Sequence, residues 1–265
     1  MPAGSPQAPI GQEPAIAPHV SARVSILMPA YNEETAIVPS VEETMATLDQ
    51  FGWDYEIVVV DDGSMDGTLA TLERLATKHG RLVVAKNREN FGKGRALKKG
   101  FRYTSGEYVV FLDCDLDLHP RQVGTLFDIM QRERADVVIG SKRHPQSHVQ
   151  YPWRRRVIST TYFWVVKGLF GLPIRDTQTG LKLFRREVLT KVFPHMLVKR
   201  YAFDLELLTL AHHFGYRIAQ APVVLETKRY QHRIRVIDIL HTFWDTLAVW
   251  YRMHVLHWYD TQTSP

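Results

Sequence analysis

The sequence predicts an α/β fold with a mostly parallel β-sheet flanked by helices. Short apolar segments alternate with segments of helical spacing from residue 24 to residue 140. Most of these apolar segments are followed at once by polar or glycine-containing residues. Alternating strands and helices favour βαβ units with parallel strands, and ligands of such sheets bind beyond the carboxyl ends of the strands. The polar residues after the strands therefore mark the predicted site.

The first half of the chain contains the regular part of this pattern. Short apolar runs predict strands at residues 24–28, 55–60, 81–85, 107–112 and 136–140. The spacing of apolar residues predicts helices at residues 34–50, 66–79, 92–102 and 120–132. Pro120 falls in the first turn of its helix, where proline is tolerated.

The second half is less regular. We expect helices at residues 154–170, 203–214 and 236–258, and strands at residues 181–184 and 223–226. The last of these helices is rich in aromatic residues. The first residues are rich in Pro and Ala and lack an apolar signal core, which predicts a disordered tail. We therefore divide the chain into a tail at 1–21, a domain at 22–230 and a C-terminal helical segment at 231–265.

The composition restricts the class of partner. The chain has 265 residues and a formal net charge of +5, which favours an anionic partner such as a phosphate, a nucleic acid or a membrane surface. Its single cysteine, Cys114, excludes an internal disulfide framework and a cysteine-based zinc site. No run of about 20 uninterrupted apolar residues occurs, so no membrane-spanning helix is expected.

Three carboxylates follow the predicted strand at 107–112. Asp113, Asp115 and Asp117 alternate with other residues, and carboxylates this close repel one another unless a cation joins them. Hard oxygen ligands with room for substrate phosphates suit Mg²⁺ or Mn²⁺. A solvated acidic loop is the alternative interpretation of this D-x-D motif. The polar segments at the other strand ends favour the metal site.

Four segments in this order resemble the family 2 glycosyltransferases, which have the GT-A fold. They are residues 29–33 (PAYNE), 61–66 (DDGSMD), 92–94 (GKG) and 113–115 (DCD). The resemblance covers about residues 22–230. Later segments resemble the polyprenyl-phosphate sugar synthases, a group that includes dolichyl-phosphate mannose synthase and dolichyl-phosphate glucosyltransferase. They are residues 140–143, 176–180, 181–184 and 203–206.

The resemblance implies a nucleotide-sugar site and a metal site. The residues implied for the nucleotide sugar are Pro29, Ala30, Tyr31, Asn32, Glu33, Asp61, Asp62, Gly63, Lys93, Gly94, Asp113 and Cys114. Asp115 and Asp117 would hold Mg²⁺ or Mn²⁺. Relatives often have Gln where this chain has Asp117, and the added charge should favour metal binding but leave the diphosphate less neutralised. Two alternatives stay open, that Tyr31 serves packing alone and that Lys93 is a solvated lysine at a helix start.

The resemblance also implies an acceptor site. Arg143, Arg155, Ser159, Gln178 and Thr179 would bind the acceptor phosphate, and a loop with Lys228, Arg229 and Arg233 would close on the diphosphate. Asp204 lies where relatives with hydroxyl acceptors place a general base, and beside a phosphate acceptor we expect it to orient the sugar or a basic residue. Asp113, Asp115, Arg143 and Asp204 form the implied catalytic set. In the alternative reading, the arginines at 154–156 form an exposed helix face, and Gln178 and Thr179 only form a turn.

The chemistry can be argued without the family. A nucleoside diphosphate is a leaving group whose developing charge needs a metal and cations more than a strong general acid. An acceptor phosphate is already anionic near neutral pH and needs positioning more than deprotonation. Arginine suits that task because its planar fork matches phosphate oxygens. Direct displacement at the anomeric carbon would then invert its configuration.

The expected function is transfer of a hexose from UDP-glucose or GDP-mannose to a polyprenyl phosphate. We expect a peripheral enzyme on the cytoplasmic membrane face, with the helix at 157–170 as its main contact and the C-terminal helix either in the interface, on the domain or on a second subunit. A glycosyltransferase with a soluble hydroxyl acceptor is the alternative. A nucleic-acid-binding module is disfavoured, because the basic residues are not interleaved with aromatic residues along one element and three acids are clustered.

Overall fold

The structure is a computed structural model that describes residues 20–149, 153–198, 202–225 and 236–261. The side chains of residues 153–158, 236–240 and 261 are outside this description. The loop at 228–233, most of the tail and the start of the C-terminal segment therefore lie outside the described residues. The domain boundaries at 22, 230 and 231 stay predictions.

Within the described residues, seven strands form one sheet. They are β1 (Val24–Ala30), β2 (Tyr55–Asp61), β3 (Leu82–Lys86), β4 (Tyr108–Phe111), β5 (Val137–Ser141), β6 (Lys182–Arg185) and β7 (Ile218–Pro222). Their order across the sheet is β3-β2-β1-β4-β6-β5-β7. Only β6 runs antiparallel to its neighbours, β4 and β5, while the other pairs are parallel. The sheet is therefore mostly parallel, as the sequence predicts.

The described residues also form nine α-helices. They are α1 (Ile37–Phe51), α2 (Thr68–Ala76), α3 (Lys93–Gly100), α4 (Gln122–Glu133), α5 (Trp153–Phe170), α6 (Arg186–Val192), α7 (Phe203–His213), α8 (Val236–His254) and α9 (Trp258–Thr261). A short 3₁₀ turn (Phe101–Tyr103) follows α3. Helix α1 ends at Gly52, which adopts the left-handed conformation that glycine tolerates best.

The two faces of the sheet carry separate hydrophobic layers. Along β1, Ile26 and Met28 belong to one buried layer and Leu27 to the other, because successive strand residues point to opposite faces. Residues of α1, α2 and α4 complete the first layer, and residues of α3, α6 and α7 complete the second. A sheet covered on both faces needs continuous apolar strands, which explains why the short apolar runs predicted β1 to β5 correctly.

The last predicted strand is wrong in position. The apolar run at 223–226 predicts a strand, but β7 ends at Pro222 and only an isolated bridge between His148 and Val224 follows it. Strand β7 buries the small side chains of Ala219 and Ala221, which give a weaker sequence signal than the valines after them. Helix α6 was also not predicted.

The C-terminal helices pack on the domain through a buried carboxylate. Glu206 of α7 is 0% exposed. It accepts hydrogen bonds from the Tyr259 hydroxyl at 2.5 Å, from Arg252 at 3.3 Å and from the backbone N–H of Val198 at 2.7 Å. Burial raises the pKa of Glu206, and its partners counteract this rise. Because a buried polar group without partners is costly, Glu206 fixes where α8 and α9 sit. The sequence analysis left open whether the C-terminal helix lies in the membrane interface, on the domain or on a second subunit. In the structure, one face of this helix packs on the domain.

Candidate active site

The polar segments named from the sequence meet at the carboxyl edge of the parallel strands. Strand β6 also contributes to this edge because it runs in reverse, so that it begins where its neighbours end. Its first residue, Lys182, pairs with Phe111 of β4 and with Ile139 of β5. The loop before β6 therefore lies beside Asp113, two residues beyond Phe111.

The loops after β1 and β2 are joined by hydrogen bonds. The Asn32 backbone N–H donates to the Ser64 hydroxyl at 2.9 Å, and the Met65 N–H donates to Asn32 Oδ1 at 2.9 Å. The Glu33 N–H donates to the Thr68 hydroxyl at 2.8 Å. Asn32 has a φ of 55°, in the left-handed region that asparagine tolerates better than most residues. These bonds fix the predicted nucleotide-binding loop, of which Tyr31 is an exposed member.

The two aspartates that end β2 have different surroundings. Asp62 accepts hydrogen bonds from Asn87 Nδ2 at 2.7 Å and from the backbone N–H groups of Phe91 at 3.2 Å and Gly92 at 2.7 Å. Asp61 is 1% exposed, and its Oδ1 has no hydrogen-bond partner among the described residues. The Asp62 carboxylate thus fixes the chain before α3, whereas Oδ1 of Asp61 is left to accept a hydrogen bond from a ligand. The structure thus separates two aspartates that the sequence analysis placed together in the nucleotide-sugar site.

Three smaller residues of the predicted nucleotide site support the loops. Gly63 has a φ of 71°, and a Cβ there would lie 2.4 Å from the Glu89 carbonyl carbon. Pro29 and Ala30 end β1, and the Ala30 carbonyl accepts the Asp62 N–H at 2.8 Å. These positions therefore serve the close approach of the chain segments around the site.

Asp113 is contacted from two sides. Lys93 Nζ lies 2.6 Å from Asp113 Oδ1. A Cβ placed on Gly180 would lie 1.9 Å from Asp113 Oδ2, so the Asp113 carboxylate occupies the space that a side chain at position 180 would need. Although burial opposes it, the Lys93 ammonium lowers the pKa of Asp113. The sequence analysis left open that Lys93 is only a solvated lysine at a helix start. In this structure Lys93 is instead paired with Asp113.

Asp115 and Asp117 flank a strained residue. Leu116 between them has a φ of 57°, and such strain clusters at functional sites. The Asp117 N–H donates to Asp115 Oδ1 at 3.0 Å. Burial raises the pKa of Asp115, and the Asp113 carboxylate raises it further. Crowded, partly buried carboxylates of this kind favour a neighbouring cation.

A small cavity of about 70 Å³ lies beside these carboxylates. Its lining includes Asp113, Asp115, Asp117, Lys142, Gln178 and Gly180. Within the described residues, no three His, Cys, Asp or Glu side chains are grouped to hold a metal ion. Two carboxylates with open space before them suit a cation whose remaining ligands are substrate phosphate oxygens and water, which is the usual arrangement for Mg²⁺. The donor set therefore fits Mg²⁺ or Mn²⁺ bound together with a diphosphate.

Cys114 points away from this cavity into the protein. It is 3% exposed, and its thiol lies 3.4 Å from the Pro29 carbonyl oxygen. Burial raises the pKa of the Cys114 thiol, and the carboxylates of Asp113 and Glu33 raise it further. The thiol therefore stays protonated and links the loop to β1, as expected for a residue that is no nucleophile.

Asp176 organises the loop at 176–180. Its carboxylate accepts the backbone N–H of Lys142 at 3.0 Å, the backbone N–H of Gln178 at 3.0 Å and the hydroxyl of Thr179 at 2.7 Å. Thr179 is fully buried, so its side chain supports the loop, whereas Gln178 lines the cavity. Lys142 was not named from the sequence, although it precedes Arg143 in the segment that carries the resemblance.

Arg143 connects the end of β5 to α5. Its guanidinium donates to the hydroxyls of Ser159 at 3.1 Å and Thr160 at 3.0 Å, and it lies 5.0 Å from the centre of the Phe163 ring. Arg155 lies one turn of α5 before Ser159, but its side chain is outside the described residues. The structure thus joins Arg143 and Ser159, two of the predicted acceptor residues, and adds Thr160.

Asp204 does not line the cavity. It is 7% exposed and lies 2.7 Å from Nζ of Lys182, which is 1% exposed. Gly94 packs against the ring of Phe203, the residue before Asp204, since a Cβ on Gly94 would lie 2.2 Å from that ring. The expectation that Asp204 orients a basic residue agrees with this contact. A buried, ion-paired carboxylate away from the cavity is poorly placed for a general base.

The chain matches a protein family and several individual proteins. The model of the family described as Glycosyl transferase family 2 matches residues 25–193. The Dolichyl-phosphate beta-glucosyltransferase of Dictyostelium discoideum is 32% identical over 213 residues, which cover 76% of this chain and 65% of that protein. Glycosyltransferase AglD of Haloferax volcanii is 30% identical over 249 residues, which cover 93% of this chain and 40% of that protein. The chain thus spans less than two thirds of the length of either relative.

Two solved structures of similar fold are synthases named for 3-phosphoglycerate. Glucosyl-3-phosphoglycerate synthase from Mycobacterium tuberculosis, in complex with Mn²⁺, UDP and phosphoglyceric acid, has a TM-score of 0.65 at 26% identity over 87% of this chain and 78% of that one. Mannosyl-3-phosphoglycerate synthase from Rubrobacter xylanophilus has a TM-score of 0.67 at 20% identity over 89% of this chain and 75% of that one. These similarities confirm the predicted fold class.

Proposed function

This chain belongs to glycosyltransferase family 2, and from this membership we propose that it transfers glucose from UDP-glucose to a polyprenyl phosphate, with inversion at the anomeric carbon. The observation that carries the proposal is the position of Arg143. Its guanidinium is held against the Ser159 and Thr160 hydroxyls, and Lys142, the residue before it, lines the cavity beside the aspartates. An acceptor phosphate bound there would face a sugar held by Asp113.

The donor assignment is supported by one buried atom and by the relatives. The buried, unpartnered Oδ1 of Asp61 would accept a hydrogen bond from the nucleotide base or ribose. Both uracil and guanine offer an N–H, so this atom alone leaves the base open. The relatives named as dolichyl-phosphate β-glucosyltransferases and the UDP-bound synthase favour UDP-glucose over GDP-mannose.

Asp115 and Asp117 would hold Mg²⁺ or Mn²⁺. Bound there with the diphosphate, the metal ion supplies a Lewis acid that stabilises the charge of the leaving group. Lys142 lines the same cavity and would add a second positive charge near the diphosphate. Asp113, oriented by Lys93, would accept hydrogen bonds from ribose or sugar hydroxyls, and Asp204 stays behind the site.

A second candidate acceptor is a soluble phosphorylated hydroxyl compound. The similar solved structures are synthases named for 3-phosphoglycerate, and Arg143 would suit a phosphate on either kind of acceptor. The ion pair between Asp204 and Lys182 disfavours this candidate, because a hydroxyl acceptor needs a general base and Asp204 is buried away from the cavity.

Radiolabelled UDP-glucose separates the two acceptors. Purified protein with Mn²⁺ and a polyprenyl phosphate in detergent should move label into an organic extract, and the label should be released by mild acid as free glucose. The same protein with 3-phosphoglycerate should give no charged, water-soluble product. Product formation from 3-phosphoglycerate alone would replace the proposed acceptor with the soluble one.

Arg143→Ala should weaken acceptor binding and spare donor binding. A charge-assisted hydrogen bond is worth about 1.5–3 kcal/mol, which corresponds to a rise of roughly 10–150-fold in the KM for the lipid phosphate. Arg132→Ala is the control, because Arg132 is an exposed α4 arginine outside the proposed site. Calorimetry with UDP-glucose should give the same Kd for both variants and the wild type. An equal loss of donor affinity in Arg143→Ala would assign this arginine to the diphosphate.

The proposed acceptor lies in a bilayer, and helices α5 and α8 carry the surface that would reach it. None of the described helices combines the length and the hydropathy that crossing a bilayer requires. Helix α8 packs against α5, where the Tyr162 hydroxyl lies 3.2 Å from the Thr246 hydroxyl. We use the name aromatic surface for the exposed large side chains of α5, α8 and the segment after α8, which are Trp164, Phe243, Trp244, Tyr251, Val255, Leu256 and Trp258. Aromatic side chains beside cations such as Lys167 suit a membrane interface.

We therefore propose peripheral binding to the cytoplasmic membrane face through both helices. The sequence analysis named the helix at 157–170 as the main contact. Within this helix, Val166 is buried and Phe163 is half-buried beneath Arg143, so these residues serve the protein interior and the site. Trp164, with 61% of its surface exposed, and Trp244, with 67%, are the best-placed membrane contacts.

Trp164→Ser combined with Trp244→Ser should reduce binding to anionic liposomes by about tenfold or more, because large apolar side chains lose their burial in the interface. High salt should release the wild type, since each basic residue near such a surface contributes about 1 kcal/mol. Turnover of a long-chain prenyl phosphate in liposomes should fall, whereas turnover of a short water-soluble prenyl phosphate should not. Tyr103→Ser is the matched control, because Tyr103 is exposed but lies outside the aromatic surface. Equal losses on both acceptors would place the two tryptophans in the fold or the site.

A further inference from the structure

We propose that the buried ion pair between Lys182 and Asp204 positions Asp113 for donor binding, acting through the two groups that contact the Asp113 carboxylate. Neither member of the pair lines the cavity, and we regard both as positioning residues. The inference rests on the proposed nucleotide-sugar site but is independent of the acceptor. It deepens that function by naming what holds the donor-binding aspartate in place.

The pair itself is costly to bury. Lys182 Nζ lies 2.7 Å from Asp204 Oδ1, with the two side chains 1% and 10% exposed. Removing two charges from water costs several kcal/mol per ion, and apolar residues of similar volume are often as stable or more stable in such positions. A contribution to folding stability is therefore a weak explanation for this ion pair. The residues around the pair indicate a positioning role instead.

One series of contacts links Lys182 to Asp113 through the loop before β6. The Lys182 ammonium donates a hydrogen bond to the carbonyl oxygen of Thr179. The next residue is Gly180, whose backbone lies against Oδ2 of Asp113. Lys182 thus fixes the peptide that sets one side of the Asp113 carboxylate. A shift of the Thr179 carbonyl would move that contact.

The other series of contacts links Asp204 to Asp113 through the starts of α3 and α7. Lys93 is the first residue of α3, and Asp204 is the second residue of α7. Gly94 packs against the Phe203 ring, which holds these two helix starts together. Burial disfavours the Lys93 ammonium, but the carboxylates of Asp113 and then Asp204 raise the pKa of Lys93 above its usual range. Asp204 therefore supports the cation that contacts Asp113 Oδ1.

The two series of contacts start at the ion pair and meet again at Asp113. Gly180 contacts Oδ2 and Lys93 contacts Oδ1, so both oxygens of one carboxylate depend on one buried pair. Loss of the pair would allow Asp113 to rotate or shift without disturbing the sheet. A displacement of about 1 Å in a substrate-positioning group can cost about 100-fold in rate.

A double substitution that removes both charges of the pair separates an effect on donor binding from an effect on folding stability. In Lys182→Met/Asp204→Leu both charges are removed and the volume is approximately kept, so the variant should melt close to the wild type. Its Kd for UDP-glucose with Mn²⁺, measured by calorimetry, should rise about tenfold or more, and its slow hydrolysis of UDP-glucose without acceptor should fall about 10–100-fold. Wild-type donor affinity and hydrolysis in a folded double variant would overturn the proposal.

Two further variants complete the test. Asp204→Asn keeps the shape of the side chain and should show the same rise in donor Kd, so it replaces the double variant if that one does not fold. Unfolding of both would show a structural pair and would also overturn the proposal. Glu73→Gln/Lys86→Met removes an exposed ion pair of 3.7 Å and should change neither readout. Since no acceptor is present, these results do not depend on whether the acceptor is a lipid; a wild type that does not bind UDP-glucose would instead contradict the proposed donor.

Discussion

Asp115→Asn is expected to lose sugar transfer by about 100–1,000-fold or more while its melting temperature stays unchanged or rises. The loss follows because this substitution removes a proposed metal ligand and with it charge stabilisation of the leaving diphosphate, a contribution commonly of this size. The stability is kept because Asp115 is a partly buried carboxylate beside two others, and removing a repelling charge relieves the folded state. Asn also retains an oxygen that can accept the Asp117 N–H.

The measurement is a pair of assays on the same preparation, turnover of UDP-glucose and thermal unfolding. Asp128→Asn is the control, because burial also raises the pKa of Asp128 but this residue lies in α4, outside the cavity. Chelation with EDTA should abolish turnover of the wild type, and Mn²⁺ or Mg²⁺ should restore it. Full activity in EDTA would contradict metal-assisted departure of the diphosphate.

Gly180→Ala is expected to reduce turnover by about 100-fold with only a modest loss of stability. The added methyl group would lie 1.9 Å from Asp113 Oδ2. This separation is too short for two non-bonded atoms, so the carboxylate or the loop must move. A displacement of about 1 Å suffices for a rate loss of this size. The side chain that must yield is at the surface of a cavity and not in the core, which limits the cost in folding free energy.

Gly168→Ala is the matched control for this substitution. A Cβ on Gly168 meets no heavy atom within 4 Å, and Gly168 lies inside α5, where alanine is favoured over glycine by about 1 kcal/mol. This variant should melt slightly higher and keep full donor binding. If Gly180→Ala binds UDP-glucose as tightly as the wild type, the close approach of Gly180 to Asp113 has no role in the donor site.

The sequence predicts the parts of the site that follow strands. Asp61 and Asp113 come directly after apolar runs, with Asp115 two residues further on, and parallel strands bring their carboxyl ends to one edge. The order of motifs then identified the family, because each segment kept its place relative to a strand end. Lys93 was predicted at the start of a helix, but whether it was solvated or paired depended on a contact with Asp113 across 20 residues of chain, which local patterns do not specify.

Lys182 illustrates what local patterns miss. A lysine second in the apolar segment 181–184 is typical of a strand with one solvated face. Strand β6 instead lies between β4 and β5 with both faces covered, so the side chain is buried and needs a counter-charge. Its neighbours are set by the reversal of one strand in the sheet, and nothing in the residues of β6 alone encodes that reversal. The same holds for Asp61 and Asp62, whose roles were separated only by the hydrogen bonds that Asn87 and Gly92 donate.

The late position of β6 in the chain has a consequence for synthesis on the ribosome. Strand β5 pairs with β6 and β7, both of which follow it, so β5 and α5 leave the ribosome before either sheet partner exists. The chain from Asp113 to Asp204 takes roughly 5–20 s to synthesise at about 5–20 residues per second. During that interval the chain already includes β1 to β4 and the aspartates that follow them, but Gly180, Lys182 and Asp204 have not yet been made. On the proposed role of these residues, a nascent chain acquires a complete donor site only after α7 has been translated.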